Sequence, residues 1–320
     1  MMKKKILGAA ALILGMLPLG QALAEYPERP IRMVIPFAAG GPADLVGREF
    51  ATLLGQKLGQ TVVVVNLGGG HGVPALNQVL GQDADGYTLL MPASGNMTVP
   101  SKVMQDKDVL ALLAPISLLT KSPHVLVTSA KLPVKTTQEL IDYAKAHPGK
   151  VNFGSAGVGG VAHLGMELFK SQAKVDVVHV PYRGTSQVIT DLAAGQVHAL
   201  FSSMPSLKPM IDQGTVTALA MSAPSSGSYT STLPVITETL PGMEYTTWYG
   251  LFAKAGTPAE IVEKLNQAVV DTLKDPELNK KFDPQGVEFV SSSPQELADL
   301  VRKDTAKWTK LIEEADIQID

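Results

Sequence analysis

Two short stretches carry most of the chemistry available to this sequence. Residues Pro36-Phe-Ala-Ala-Gly-Gly-Pro-Ala-Asp44 follow a β-branched run and lead into a helical pattern, and Gly157-Val-Gly-Gly-Val-Ala162 does the same further on. A glycine-rich turn between a strand and a helix is suited to an anion. The helix start offers unpaired N–H groups with partial positive charge, and glycine lets the anion approach the backbone. The first turn lacks the GK[ST] ending of a P-loop, and no GxSxG elbow occurs in the chain. The second turn matches GxGxxA, the fingerprint of a dinucleotide-binding fold. The acid expected after the next strand is missing, because that strand ends Pro181-Tyr182-Arg183, where Arg183 could meet a 2′-phosphate. An oxidoreductase is therefore one reading of this loop. The leader, basic at Lys3-Lys4-Lys5 and apolar after it, reads as an export signal and argues against this, since a nicotinamide cofactor is scarce outside the cytoplasm.

The six histidines, His71, His124, His147, His163, His179 and His198, form no HxxxH or other compact ligand set, so no metal site is expected. His163 stands in the first turn of the helix after the second loop and has two readings, ligand contact or structural support. His179, inside an apolar strand, reads as a core histidine. Asp44 also has two readings. A first-turn acid complements the helix dipole, and beside a pocket it could accept a hydrogen bond from a ligand or a neighbouring amide. No catalytic set emerges and no cofactor is implied. Binding remains: a small molecule with carboxylate ends, held between the two loops.

The elements that must position these loops alternate throughout. Strands are expected at 31–36, 61–65 and 88–91, with helices at 42–58 and 73–80, which is a βαβαβ unit. A second set follows, with strands at 125–129, 151–153, 175–180, 198–201 and 217–221 and helices at 161–173 and 186–194. Another strand is expected at 249–253. Thr136-Thr-Gln-Glu139, Thr257-Pro-Ala-Glu260 and Ser293-Pro-Gln-Glu296 each look like a capped helix start. No linker separates the two sets, which suggests one lobe inserted into another. The chain would cross near His124 and return near Trp248. Residues 25–124 and 248–320 then form the first lobe, completed by the C-terminal helices, and 125–247 form the second.

Composition narrows the class. Lys3, Lys4 and Lys5, the apolar residues 6–20 and Ala22-Leu-Ala24 read as a signal peptide cleaved after Ala24. The chain has 27 Lys and Arg against 30 Asp and Glu, and the leader holds three of the lysines, so the mature chain is acidic by six charges. That balance gives no electrostatic footprint for nucleic acid. The absence of cysteine excludes a disulfide framework. No later stretch is long and apolar enough for a membrane span.

The order of motifs resembles the Bug family, the periplasmic solute receptors of tripartite tricarboxylate transporters. It runs through Tyr26-Pro-Glu-Arg-Pro-Ile-Arg32, the first glycine loop, Leu58-Gly-Gln-Thr-Val-Val-Val64 and Asp85-Gly-Tyr-Thr-Leu-Leu90. It continues in Pro148-Gly-Lys-Val-Asn-Phe-Gly-Ser-Ala-Gly157, Val178-His-Val-Pro-Tyr-Arg-Gly184, Asp191-Leu-Ala-Ala-Gly-Gln-Val197 and Trp248-Tyr-Gly-Leu-Phe-Ala-Lys-Ala-Gly-Thr-Pro258. The resemblance implies an α/β type II periplasmic binding protein, two doubly wound lobes joined by two crossing strands. It implies a monomeric, non-enzymatic receptor that captures a small organic acid in the periplasm and delivers it to membrane transporter subunits. An extracytoplasmic sensor on the same fold is the alternative.

By position, the resemblance puts the site at Phe37, Ala38, Ala39, Gly40, Gly41, Pro42, Ala43 and Asp44, with a second wall at Ser94, Gly95 and Asn96. The facing lobe gives Ser155, Ala156, Gly157, Val158, Gly159, Gly160, Ala162 and His163, then Tyr182, Ser202 and Ser203. Four positions depart from the family pattern: Ala43, where a hydroxyl residue is usual, Ala162 in place of serine, Ser202 in place of aspartate, and Leu67 in place of arginine. The first three are expected to line the cleft. Fewer polar partners there favour a plainer aliphatic or aromatic acid over a hydroxylated tricarboxylate, with Ala43 as the place where ligand choice is made.

Overall fold

The computed structural model describes residues 26–99, 108–155, 157–182, 185–225, 232–315 and 317. The expected leader lies outside these residues, as do Ala156 and Arg183.

The first α/β unit contains β1 (Ile31–Ile35), α1 (Pro42–Leu58), β2 (Val62–Asn66), α2 (Val73–Leu80) and β3 (Thr88–Leu90). Strand β1 lies between β2 and β3 and is parallel to both. Helix α1 buries Ala43, Val46, Phe50 and Leu54 on one stripe against Ile31, Met33 and Ile35. Gly47 makes this contact close, because a Cβ there would come 2.4 Å from Ile35 Cδ1. A short helix, α3 (Ser94–Thr98), follows β3. Its Ser-Gly-Asn-Met-Thr sequence has little helix propensity, so it was not expected. Asn96 starts it by accepting a hydrogen bond from Ala93 N at 3.1 Å.

Strand β4 (Leu113–Ser129) is 17 residues long, although only 125–129 reads as strand in the sequence. Pro115, Ser117, Thr120, Lys121 and Pro123 interrupt the apolar run and hide its first part. Helix α4 (Thr137–Ala146), β5 (Val151–Ser155), α5 (Val161–Ala173), β6 (Val177–Pro181), α6 (Thr185–Ala194) and β7 (Ala199–Ser203) build the second unit. Helix α7 (Met204–Asp212) and β8 (Val216–Met221) follow, then β9 (Thr246–Lys254). Helix α7 was also unexpected, since Pro205 and Pro209 break its pattern. Strand β5 is parallel to β6 and β7.

The sheet order is β2-β1-β3-β9-β4-β7-β5-β6. Strand β4 pairs antiparallel with β9 over Leu113–Pro123 and with β7 and β8 over His124–Ser129. One long strand and its antiparallel partner thus join two α/β lobes, each packed around its own apolar clusters.

The chain ends with α8 (Ala259–Leu273), α9 (Pro276–Phe282), β10 (Glu288–Phe289) and α10 (Pro294–Glu314). Ser293 and Glu296 close a reciprocal capping box: Glu296 N donates to Ser293 Oγ (3.2 Å) and Ser293 N to Glu296 Oε2 (2.8 Å). Thr257 does not cap α8. Its hydroxyl donates back to Lys254 O at 2.8 Å, and Pro258 takes the cap position. Helix α10, expected to complete the first lobe, touches both. Leu297 and Val301 pack with Trp248 and Phe252, while Trp308 and Leu311 pack with Phe201 and Tyr245.

Candidate ligand-binding cleft

The two glycine loops have the same backbone construction. Each leaves the carboxyl end of a strand, β1 or β5, and opens a helix, α1 or α5. A glycine with left-handed φ comes first, Gly40 (+80°) and Gly159 (+75°). An extended glycine cap follows, Gly41 and Gly160, and neither helix has a side-chain cap. The first-turn amides are therefore left for another acceptor. In each loop the third helical residue reaches back four positions to hold the amide of the left-handed glycine. Gly40 N donates to Asp44 Oδ2 at 2.8 Å, and Gly159 N donates to His163 Nδ1 at 3.0 Å.

The fastenings behind the two anchors differ. Arg48 Nε lies 2.9 and 3.0 Å from the two Asp44 oxygens. Arg48 Nη2 donates to Asn66 Oδ1 (2.9 Å), and Asn66 Nδ2 donates to Phe37 O (3.1 Å), closing a ring under the first loop. The Arg48 guanidinium, aided by the Gly40 amide, holds the Asp44 carboxyl below its ordinary range against the opposing effect of burial. In the second lobe His163 stacks on His179, centroids 3.9 Å apart and planes 14° apart. His179 Nε2 is 2.6 Å from Ser155 Oγ, which donates to Gly157 O at 2.9 Å. Burial pushes both imidazoles down to about 4, followed by His179 and then the Lys170 charge at His163, and by the Lys170 charge at His179. Neutral His163 accepts at Nδ1, so its proton sits on Nε2, which faces Glu167 Oε1 at 3.8 Å.

Between the lobes lies a cleft of about 440 Å³. Phe37, Pro42, Gly95, Asn96, Gly157, Val158, Gly160, Ala162, Ser202 and Ser203, ten of the expected site residues, line it. Ala38, Ala39 and Gly40, exposed, and Gly41, half-buried, form the turn between the lining residues Phe37 and Pro42. The others stand behind. Ala43 is a correction: its side chain is buried in the first-lobe core with Phe50 and Leu54, so a hydroxyl there would not face the cleft. Asp44, Gly159 and His163 are engaged in the anchors. Ser155 and Ser94 are buried, and Ser94 Oγ has no partner among the described residues. The Tyr182 hydroxyl donates to Asp191 Oδ2 at 2.6 Å, which directs it toward α6.

Among the lining residues that were not expected, two sets stand out. The loop Gly69-Gly70-His71-Gly72 has four successive positive φ values, +96°, +52°, +54° and +88°. It packs behind the first loop through Gly68, where a Cβ would come 2.9 Å from Ala38 N. Asn96 Nδ2 ties it to α3 by donating to His71 O at 3.0 Å. This glycine run follows β2 as the others follow β1 and β5, so the same signal was available for it. The crossing strands supply the second set, His124, Thr247 and Tyr249. His124 Nε2 is 2.9 Å from Thr247 Oγ1. No described lining residue carries a fixed charge. A bound anion would be held by backbone dipoles and neutral donors between apolar walls. Among the described residues no His, Asp or Glu cluster is placed to hold a metal, and no helix is long and apolar enough to cross a membrane.

Two lobes, two crossing strands and a cleft flanked by uncapped helix starts are the architecture of a bilobed binding protein. Residues 46–317 match the tripartite tricarboxylate transporter family receptor, and the chain belongs to that family. It is 31% identical over 299 residues to protein BugT of Bordetella pertussis (strain Tohama I), covering 90% of each chain. Among solved structures it is similar to Rhodopseudomonas palustris Rpa4515 with adipate. The identity is 32%, the TM-score 0.81, and 92% of this chain and 99% of that one are covered. It is also similar to MatC of the same organism with bound malate, at 29% identity and TM-score 0.77, covering 90% and 100%.

Proposed function

We propose that the chain is exported, cleaved after Ala24, and works as a monomeric periplasmic receptor that captures a small organic acid and passes it to transporter membrane subunits. The observation that carries this reading is the matched pair of uncapped helix starts, Gly41 with α1 and Gly160 with α5, flanking a cleft without fixed charge. A carboxylate accepts from both sets of amides, and that shared contact favours closure of the lobes. The working division is 25–124 with 248–320 against 125–247, flexing about β4 and β9. No step requires a catalytic residue or cofactor.

The family's ligands include plain and hydroxylated acids, as the adipate and malate complexes of its relatives indicate. With Ala43 withdrawn to the core, the case for a plain acid rests on Ala162 and on apolar wall residues such as Phe37 and Val158. A thermal-shift screen of organic acids, followed by calorimetry, tests it. Plain aliphatic acids are expected to bind. Tight citrate binding without any response to plainer acids would sink the preference.

A further inference from the structure

An acid entering the cleft meets no fixed positive charge, and the titratable side chains among the described lining residues are His71, His124 and Tyr249. Burial pushes Tyr249 up to about 12, so it stays neutral. Burial pushes His124 down to about 4, and its nitrogens already face Thr247 Oγ1 at 2.9 Å and the Tyr245 hydroxyl at 3.5 Å. His71 differs from both. Its left-handed backbone, φ +54° between Gly70 and Gly72, sets the ring on the wall at the expense of strain. Its Nε2 has no hydrogen-bond partner among the described residues. The ring lines both the cleft and a neighbouring cavity of about 10 Å³, so it stands between them. That cavity is walled by Leu76, Leu90, Met97 and Val109 and has room for one water at most. The elements packed around the ring are the first loop at Pro36, α2 at Leu76, and α3 at Gly95, Asn96 and Met97, and none of these residues is titratable. The ions behind the first loop, Asp44 and Arg48, are paired with each other.

We propose that His71 contacts the ligand and takes up a proton when an organic acid binds, so that the receptor captures its anion together with a proton. The inference rests on the receptor reading above and adds the group that answers the ligand's charge. The proton comes from solvent and adds to the lone pair of the neutral ring, and no bond in the ligand changes. The imidazolium offers two N–H donors where the neutral ring offers one, and its charge offsets one carboxylate. In the free receptor burial disfavours this form, while the Gly95 backbone supports it. A carboxylate beside the ring raises its basicity further in the complex. The sign follows: the gain in affinity is complete below the free receptor's value and is lost as pH rises through the higher value of the complex.

Calorimetry with adipate and with malate, each in phosphate and in Tris, counts the protons, because the two buffers release a proton with different heats. Wild type should take up a measurable fraction of a proton per acid and bind about fivefold more tightly at pH 6 than at pH 8. Both acids are mostly ionised in this window, and His124, His163 and His179, held near 4 by burial, remain neutral. His71→Asn suits a left-handed backbone and does not titrate, so it should abolish both the uptake and the pH slope. His71→Lys carries its charge throughout, so it should flatten the slope and keep the affinity at pH 8 at or above that of wild type. Buffer-independent heats with flat wild-type affinity, or an uptake that persists in both variants, overturn the proposal and leave the carboxylate receptor standing. Silence of wild type toward both acids, and toward hexanoate and citrate, at either pH overturns both readings.

Discussion

Asp44 and His163 hold equivalent amides at equivalent places in two loops, one with a charge and the other without. In the first lobe the anchor is a carboxylate neutralised by Arg48, whose side chain is about half exposed. In the second it is a buried neutral imidazole stacked on another. The shared geometry shows what such a loop requires: an acceptor at the third helical position, reaching the left-handed glycine. The difference shows what is free to vary. A charge-paired anchor is insensitive to pH near neutrality, whereas a buried imidazole is an acceptor only while it stays unprotonated.

The strongest test of equivalence is symmetrical damage. Gly41 and Gly160 have ordinary negative φ values, and a Cβ would find its nearest neighbours at 3.5 and 3.7 Å, so both accept a side chain without strain. Gly41→Asp and Gly160→Asp are each expected to weaken acid binding at least a hundredfold, about 3 kcal/mol, with folding intact. Calorimetry measures the affinity and circular dichroism the fold. Loss at one loop only would mean that a single helix start holds the ligand.

Acid should separate the loops next. An unfolded chain protonates its histidines near 6.5, whereas folded His163 and His179 resist until about 4. Stability is then lost as pH falls from 6.5 to about 4 and levels off below, by at most about 3 kcal/mol for each histidine. Asp44 works in another window. Its carboxyl is lowered from 3.8 in the fold, so its contribution is complete above 3.8 and is lost only as pH falls through the lower folded value. Amide exchange followed by NMR between pH 7 and 4.5 should show Gly159 losing protection before Gly40. His163→Asn keeps an acceptor without the titration and should blunt the effect. Simultaneous loss at both glycines would argue for global unfolding instead.

Removing the anchors outright is expected to cost less. Asp44→Ala frees an Arg48 side chain that water already reaches, so about 1–2 kcal/mol is expected. His163→Ala removes a buried acceptor and its stacking partner, so about 2–3 kcal/mol is expected. Urea unfolding ranks the two, and the reverse order would mean that the Arg48–Asn66–Phe37 ring carries more of the fold than the histidine stack.

The contrast also explains how much was legible. Both main loops declared themselves, because a strand, a glycine turn and a helix are contiguous in sequence. The withdrawal of Ala43 was legible too: Ala43, Val46, Phe50 and Leu54 form one helical stripe, and its periodicity outweighs a motif position. Where the crossing strands meet the cleft, Ser202 and Ser203 were placed from the sequence, but His124, Thr247 and Tyr249 were not legible as lining residues. His124 and Thr247 are 123 residues apart and are joined only by the pairing of β4 with β9. Nor was the long first part of β4, where prolines and polar residues suit a strand shared by two lobes but break the expected pattern.

The first lobe has a third glycine loop, and its smallest expected effect is the most specific to that lobe. His71 adopts φ +54° and ψ 20° between Gly70 and Gly72, a left-handed conformation that favours glycine. Its Nε2 is buried without a hydrogen-bond partner among the described residues, and burial lowers its basicity against the opposing effect of the Gly95 backbone. The imidazole therefore contributes strain and an unpaired polar atom while lining the cleft, a combination that persists at functional positions. His71→Gly should relieve both and raise unfolding stability by about 1 kcal/mol, the usual strain of a side chain in this region less the added freedom of the unfolded glycine. Acid affinity should fall at the same time, because the loop packs against Ala38 through Gly68 and would hold the first loop less firmly. A stabler protein with weaker binding, read from paired urea and calorimetric titrations, would show that the histidine is kept for the ligand. A less stable protein with unchanged affinity would show that its contacts with α3 outweigh the strain and that the third loop is only scaffold.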